Sequence, residues 1–370
     1  IVTTGTFEDD LSRRDLTINA LAISMNKEDY GELVDLFSGI QDLNDGVIRT
    51  PLAPGITFSD DPLRMLRAIR FAAQLNFTIE PVTLEGIKEN ASRIEIVSME
   101  RVSDEINKII MTAKPSIGFS LLWDTGLLHH VFPEMALLHG VETINGLSHK
   151  DNFYHTIQVL DNLCRESDDI WLRWSAILHD IAKPQTKRFY PGEGWTFHGH
   201  EDKGSRMVKG IFKRMRLPLN EKMKFVEKMV QLHLRPIVLS QEIVTDSAVR
   251  RLIFDAGEDI DSLLRLCRAD ITTKNEFKVK KFINNLKVVE DKIKDVEERD
   301  RMRSWQPPID GTQIMSLFGI GAGREIGILK NTLRDAILDG IIKNDYNEAL
   351  EFIVKRGEEL GLKPVLANDY

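Results

Sequence analysis

At 370 residues, with 42% hydrophobic and 29% charged side chains, the chain has the composition of an ordinary globular protein with room for two or three domains and ample core. A formal net charge of −8 excludes a nucleic-acid footprint spread over the whole surface, so RNA binding would have to use local basic faces. No apolar run approaches the length of a membrane span and no secretory signal is visible. With only Cys164 and Cys267, no disulfide framework is expected, and a reducing cytoplasm is the expected home.

Up to about Ser59 the sequence alternates short β-like pieces (Ile1 to Phe7, Gly31 to Phe37, Gly46 to Thr50) with a helix expected after Arg14, a pattern read as the remnant of an α/β head. Two polar blocks lie in it. The first runs Asp10-Leu11-Ser12-Arg13-Arg14-Asp15-Leu16-Thr17-Ile18-Asn19-Ala20 and the second Asp35-Leu36-Phe37-Ser38-Gly39-Ile40-Gln41-Asp42-Leu43. From Asp60 onward almost every segment has helical periodicity broken by Gly, Pro and Asn, for example Pro81 to Ala91, Glu100 to Met111 and Ile117 to Thr125. The expected fold class is therefore mostly α.

The stretch Asp60-Asp61-Pro62-Leu63-Arg64-Met65-Leu66-Arg67-Ala68-Ile69-Arg70-Phe71 opens a helix with a tolerated early proline and an apolar stripe, placing Asp61 and Arg64 side by side on its surface. A carboxylate only accepts hydrogen bonds and a guanidinium only donates them. Cytosine and adenine both show a donating amine beside an accepting ring nitrogen, so this pair suits C and A and rejects G and U. Such a two-point contact discriminates by roughly 1 to 3 kcal/mol per base. An isolated D-x-x-R would read as a solvated intrahelical ion pair; here the neighbouring blocks change the reading.

All nine histidines fall between His129 and His233. Among them are His155, the apolar-flanked pair His179-Asp180, His198-Gly199-His200-Glu201 and His233, with Asp270 following in Arg268-Ala269-Asp270. His129, His130, His139 and His149 are expected to be structural. Farther on, Lys274 to about Arg303 reads as a long amphipathic helix ended by Trp305-Gln306-Pro307-Pro308, with Lys274, Lys278 and Lys281 on one face. The glycines of Gly319-Ile320-Gly321-Ala322-Gly323 follow no strand, so helix ends explain them better than a dinucleotide site.

The two N-terminal blocks and the Asp60 block, in this order, resemble the class II tRNA nucleotidyltransferases, or CCA-adding enzymes, and the related bacterial poly(A) polymerases. The resemblance implies that Arg14, Asp15 and Asn19 contribute to a nucleotide pocket, that Asp35, Gly39 and Asp42 form a flexible element, and that Asp61 and Arg64 pair with the incoming base. Arg67 and Arg70 resemble additional nucleotide-contacting arginines, and Glu100-Arg101 with Glu105 a buttressing block. It also implies CTP and ATP as substrates, tRNA as partner, and Mg2+ held by a D-x-D carboxylate pair behind a Gly-Ser turn. That pair is not in residues 1–370, where Asp259-Ile260-Asp261 is a helical surface pair, so the chain is expected to lack the N-terminal part of its head and to be unable to add nucleotides by itself.

The histidine series resembles the HD-domain metal-dependent phosphohydrolases, implying a divalent metal (Mn, Ni, Fe or Mg) held by His155, His179, Asp180 and Asp270. His200 and His233 could complete a second position or bind phosphate. The implied organisation is a head remnant over 1–59, a helical neck over 60–140, an HD domain over 141–275 and a helical C-terminal body over 276–370. The function read from the sequence is CCA addition to the tRNA 3′ end, with poly(A) polymerization or HD-site hydrolysis of 2′,3′-cyclic or monoester phosphates as alternatives; the oligomeric state stays open.

Overall fold

A computed structural model describes residues 5–240, 244–273, 275–300 and 305–365. The chain divides into two compact units, one made of Ile1–His233 with Arg265–Lys274 and the other of Leu234–Leu264 with Asn275–Tyr370. As the periodicity predicts, the structure is mostly helical, with four two-stranded sheets among the described residues.

In the first unit, helix Leu63–Leu75 buries Leu63, Met65, Leu66, Ala68, Ile69, Ala72 and Ala73. This i, i+3, i+4 stripe packs on helices Met99–Ile110 and Pro115–Asp124. Farther along, helix Ile170–Leu178 lies between Asn152–Leu163 and Glu221–Leu232, and the latter pairs with His200–Arg214. Side-chain caps from Asp151, Asp169 and Asn220 start three of these helices. The two helical groups of this unit are joined by polar contacts through the core. Ser103 Oγ donates to the Met215 carbonyl at 2.6 Å, and Trp174 Nε1 donates to Asn107 Oδ1 at 3.0 Å. The buried Arg173 donates to the carbonyls of Ile110, Thr112 and Ser167 at 3.0, 3.2 and 3.0 Å and pairs with Asp168 at 2.8 Å.

In the second unit, helix Asp246–Ala256 packs on Glu276–Asp300 and on Arg324–Leu338, which contacts Gly311–Phe318 and Tyr346–Glu359. Gly319 takes φ +63° to close helix Gly311–Phe318, and Gly323 caps the next, as helix ends require. Asp259 and Asp261 lie in helical turns. No described helix is long and apolar enough to cross a membrane.

Several local expectations differ. Of the β-like piece Ile1 to Phe7, residues 1–4 lie outside the described residues, and Phe7 begins helix Phe7–Ser12, started by a capping box between Thr6 and Asp9. The helix expected after Arg14 is only a 3-10 turn, Thr17–Asn19, followed by strand Leu21–Ile23 paired antiparallel with Leu33–Asp35. The reason is local: Leu16 is extended, Thr17 N–H donates to the Arg49 carbonyl, and Asp15 accepts the Leu16 N–H. Asp61 is not on a helix surface either. It is an extended residue (φ −142°) between helix Pro54–Asp60 and the N-cap Pro62. The long C-terminal helix spans Glu276–Asp300; Lys274 and Arg303 lie outside the described residues.

Candidate functional site

The polar blocks of the head and neck converge on the N-terminal half of helix Leu63–Leu75. Asp15, 8% exposed, is the hub: its Oδ1 accepts from Leu16 N at 3.0 Å and Asn19 Nδ2 at 3.2 Å, and its Oδ2 accepts from Arg67 Nε at 2.7 Å. One turn earlier, Arg64 donates to the Arg13 carbonyl at 2.7 Å and the Thr57 carbonyl at 3.1 Å and pairs with Asp60 at 3.0 Å. Asp61 accepts the Leu63 N–H at 3.1 Å through Oδ1 and pairs with Arg101 at 2.8 Å through Oδ2. Asp61 and Arg64 are thus fixed by separate partners rather than by each other, and a preset acceptor and donor spend no binding free energy on ordering.

The other implied residues divide. Arg14 is exposed and pairs with Asp10 at 3.2 Å, away from the hub. Arg70 lies 2.9 Å from the buried Glu105, and its guanidinium stacks 3.9 Å from the Phe71 ring centre. Burial holds its pKa below the usual arginine value despite Glu105. With a side chain only 12% exposed, Arg70 joins helices Leu63–Leu75 and Met99–Ile110 instead of offering a free donor to phosphate. Asp35 accepts the N–H groups of Gly39 and Ile40 at 2.8 and 3.0 Å. Asp42 accepts the Thr17 hydroxyl at 2.6 Å and pairs with Arg49 at 3.2 Å. A Cβ on Gly39 would lie 2.3 Å from the Thr17 carbonyl oxygen, so only glycine permits this approach.

A second site lies in the same unit. His155 comes from helix Asn152–Leu163; His179 and Asp180 follow Ile170–Leu178; His200 opens His200–Arg214; His233 follows Glu221–Leu232; Asp270 follows Ile260–Ala269. The Nδ1 atoms of His179, His200 and His233 face the carbonyl oxygens of Ala176, Phe197 and Val230 at 2.8, 2.8 and 2.6 Å. An atom facing a carbonyl must donate, so each of these rings carries a hydrogen on Nδ1 and turns its Nε2 inward. His155 Nδ1 is bonded to Thr272 Oγ1 at 2.9 Å, which turns its Nε2 toward the same cluster.

Asp180 stands between two groups of ligands. Its Oδ2 lies 3.4 Å from His155 Nε2 and 3.2 Å from His179 Nε2, while its Oδ1 lies 3.1 Å from His200 Nε2 and 3.9 Å from His233 Nε2. Asp270 Oδ1 is 2.9 Å from His155 Nε2 and 3.6 Å from His179 Nε2. Among the described residues these form two candidate ion-holding groups, His155 with His179 and Asp270, and Asp180 with His200 and His233.

His200 Nε2 and His233 Nε2 are buried without a hydrogen-bond partner, and Asp180 Oδ2 has the Lys183 ammonium 2.6 Å away in an ion pair. Lone pairs facing lone pairs in the interior call for positive charge. Without a metal ion a proton answers that need: burial opposes protonation of His179, yet Asp180 and Asp270 raise its pKa to about 10. Burial would raise Asp180, but His179 and Lys183 hold it well below the carboxylate range. His233 is pushed down to about 3 by burial and then by His179, so it stays a neutral ligand. The residues therefore fit a divalent cation.

Sequence reasoning gathered all six residues but missed two that serve this site and did not single out one at the other. Thr272 fixes the His155 ring, and Lys183 Nζ lies 2.6 Å from Asp180 Oδ2, a spacing of three residues already visible in the motif. Arg101, which steadies Asp61, gave only the general signal of a charged block. His198 stays outside, exposed and 3.9 Å from Glu193.

Comparison with known proteins gives the family of the chain. The family described as "Poly A polymerase head domain" matches residues 2–49, "Probable RNA and SrmB-binding site of polymerase A" matches 76–138, and "HD domain" matches 152–306. An A-adding tRNA nucleotidyltransferase of Deinococcus radiodurans is 31% identical over 363 residues, 95% of this chain and 80% of that protein. The multifunctional CCA protein of Nitrosospira multiformis is 34% identical over 277 residues, 72% of this chain and 63% of that one. The chain spans half the length of the Nitrosomonas europaea multifunctional CCA protein, at 37% identity over 217 residues.

Among solved structures, the Bacillus stearothermophilus CCA-adding enzyme in complex with CTP superposes with a TM-score of 0.66 at 18% identity, covering 97% of this chain and 77% of that one. The Thermotoga maritima CCA-adding enzyme complexed with tRNA superposes with a TM-score of 0.54 at 24% identity, covering 95% and 74%. These two likenesses concern the fold. Head, RNA-binding and HD segments in one chain define a nucleotidyltransferase of the poly(A) polymerase type carrying an HD domain. The chain belongs to the tRNA nucleotidyltransferase family.

Proposed function

We propose that the protein adds CCA to the 3′ end of tRNA from CTP and ATP, with residues 1–370 supplying base selection. The supporting observation is that Asp61 and Arg64 are each immobilised by a different neighbour. Asp61 presents an acceptor to the exocyclic amine of C or A, and Arg64 presents a donor to the ring nitrogen; G and U offer the reverse pattern. Asp15 and Asn19 position Arg67 beside them, where it is 34% exposed and able to meet a phosphate. Mg2+ would supply charge neutralisation on the triphosphate. On this reading a head segment spans 1–59, a helical neck 60–140, an HD domain 141–275 and a helical C-terminal body 276–370.

The test is extension of a tRNA ending before CCA by the complete protein, given CTP and ATP separately and together. Ordered C, C, A addition is expected. A-only extension would overturn the CCA assignment in favour of an A-adding enzyme, and long A tails would indicate a poly(A) polymerase.

A second reading concerns the histidine cluster: a metal-dependent phosphohydrolase acting on 2′,3′-cyclic or monoester phosphates. It is favoured by the convergence of four Nε2 atoms and two carboxylates, with the buried His200 and His233 Nε2 atoms lacking any hydrogen-bond partner. His155, His179, Asp180 and Asp270 would hold one divalent ion, and His200 and His233 would complete a second position through Asp180. A cation there supplies Lewis acidity and a more acidic bound water. Purified protein incubated with Mn2+ or Ni2+ is expected to hydrolyse such esters and to lose the activity in Asp180→Ala. Absence of turnover in protein shown to hold metal would overturn it.

A further inference from the structure

The surroundings of the histidine cluster bear on which phosphate ester it takes, an inference that rests on the hydrolase reading above. Two cavities adjoin at Lys150 and His155. One, of about 480 Å3, is lined by Asp270, Lys183 and the rings of His149, Trp195 and Phe197. His149 meets Trp195 and Phe197 edge to face, with ring centres 5.3 and 5.7 Å apart, and Trp195 is anchored by Nε1 donation to the Leu147 carbonyl at 3.1 Å. The other cavity, of about 750 Å3, lies beyond His155 and is lined by Tyr154, Lys114 and Arg165.

The charges in the second cavity are informative. Lys114, Lys150 and Arg165 are exposed and make no ion pair among the described residues. The two carboxylates beside them are already engaged: Asp151 accepts the N–H groups of Phe153, Tyr154 and Gly140, and Asp161 accepts from Ser116 N and Oγ. The cavity therefore offers three cations without ion-pair partners against two carboxylates tied up by hydrogen bonds, with a half-exposed tyrosine ring, a combination suited to a nucleotide strand.

A phosphomonoester carries one organic group, and a 2′,3′-cyclic phosphate carries both ester oxygens on a single ribose. Only a linear phosphodiester has a nucleoside on each side of the phosphorus. We infer that the HD site takes a linear nucleotide phosphodiester, one base against Trp195 and the other against Tyr154, with Lys150 beneath the phosphate between them. In hydrolysis, the oxygen of water bonds to phosphorus and the ester P–O bond on the leaving side breaks with its electron pair. The departing alkoxide takes the proton that water gives up, leaving a phosphomonoester and a free hydroxyl.

The test has two arms. Calorimetric titration of the chain with a hydrolysis-resistant dinucleoside phosphorothioate is expected to show one site, weakened about tenfold in either Trp195→Ala or Tyr154→Ala, as loss of one stacked base implies. Binding unaffected by both substitutions would overturn the inference. In the second arm, Mn2+-loaded protein is given a dinucleoside monophosphate, a 2′,3′-cyclic nucleotide and a 3′-mononucleotide. A kcat/KM at least tenfold higher for the linear diester is expected, with that ratio falling about tenfold in Tyr154→Ala. Preference for the cyclic ester or the monoester would overturn the linear-diester inference while leaving the hydrolase standing; no turnover on any of the three would overturn both.

Discussion

Asp61 is held by Arg101, forty residues away in sequence, through a 2.8 Å contact between Nη2 and Oδ2. The pair is partly exposed, at 31% and 53%, so its effect on stability is small, on the order of 1 kcal/mol or less. Its consequence is directional: the carboxylate is aimed before a base arrives. Arg101→Ala is expected to leave thermal stability nearly unchanged while reducing the preference of the chain for CTP and ATP over GTP and UTP several-fold. Equilibrium binding of the four triphosphates measures this, and unchanged discrimination would mean that Arg101 has no part in aiming Asp61.

The buried guanidinium of Arg173 makes a contrasting case. Its donors satisfy three main-chain carbonyls and reach Asp168, and the side chain is 2% exposed. Arg173→Met fills much of the space but leaves those carbonyls without partners, at about 1 to 3 kcal/mol for each one that water cannot reach. A net loss of about 3 kcal/mol or more in denaturant unfolding is expected; a loss below about 1 kcal/mol would show that the carbonyls are rehydrated.

Gly39 tests the packing of the head. With its Cβ position 2.3 Å from the Thr17 carbonyl oxygen, Gly39→Ala forces the backbone apart beside the Asp42–Thr17 hydrogen bond. Overpacking of this kind typically costs about 1 to 3 kcal/mol. Faster amide exchange around Thr17 and Gly39 is expected, and wild-type exchange rates would contradict the close approach.

For the histidine cluster, a divalent ion that binds only the folded state raises stability by about 2.7 kcal/mol when its concentration is a hundred times its dissociation constant. Thermal unfolding is therefore expected to shift upward with Mn2+ and return to the metal-free value with chelator. The shift should vanish in Asp180→Ala, because Asp180 alone contacts both groups of imidazoles. His200→Ala should reduce the bound metal measured by elemental analysis without abolishing it. An equal shift in wild type and Asp180→Ala would place the ion elsewhere.

Much of this was legible in the sequence because it depends on local periodicity or on residue chemistry. The apolar stripe from Leu63 to Ala73 announces its helix, and the order His155, His179-Asp180, His200, His233, Asp270 predicts a gathered ligand set. What was not legible depends on partners distant in the chain. Asp61 looks like a helix-surface partner of Arg64 until the chain folds Arg101 against it, and Arg70 looks like a free cation until Glu105 packs beneath it. The stretch after Arg14 looks helical, but Thr17 gives its N–H to the Arg49 carbonyl, a long-range bond that outweighs local propensity. The carbonyls that orient His179, His200 and His233 lie three residues upstream of each ring, and backbone groups carry no sequence signal.

The most direct test of the base-reading account is the exchange of its two side chains in the complete protein, Asp61→Arg together with Arg64→Asp, followed by competition of all four triphosphates for incorporation at the tRNA end. The account predicts that selection of C and A over G and U is lost while tRNA binding persists. Retention of the original selection after the exchange would contradict it.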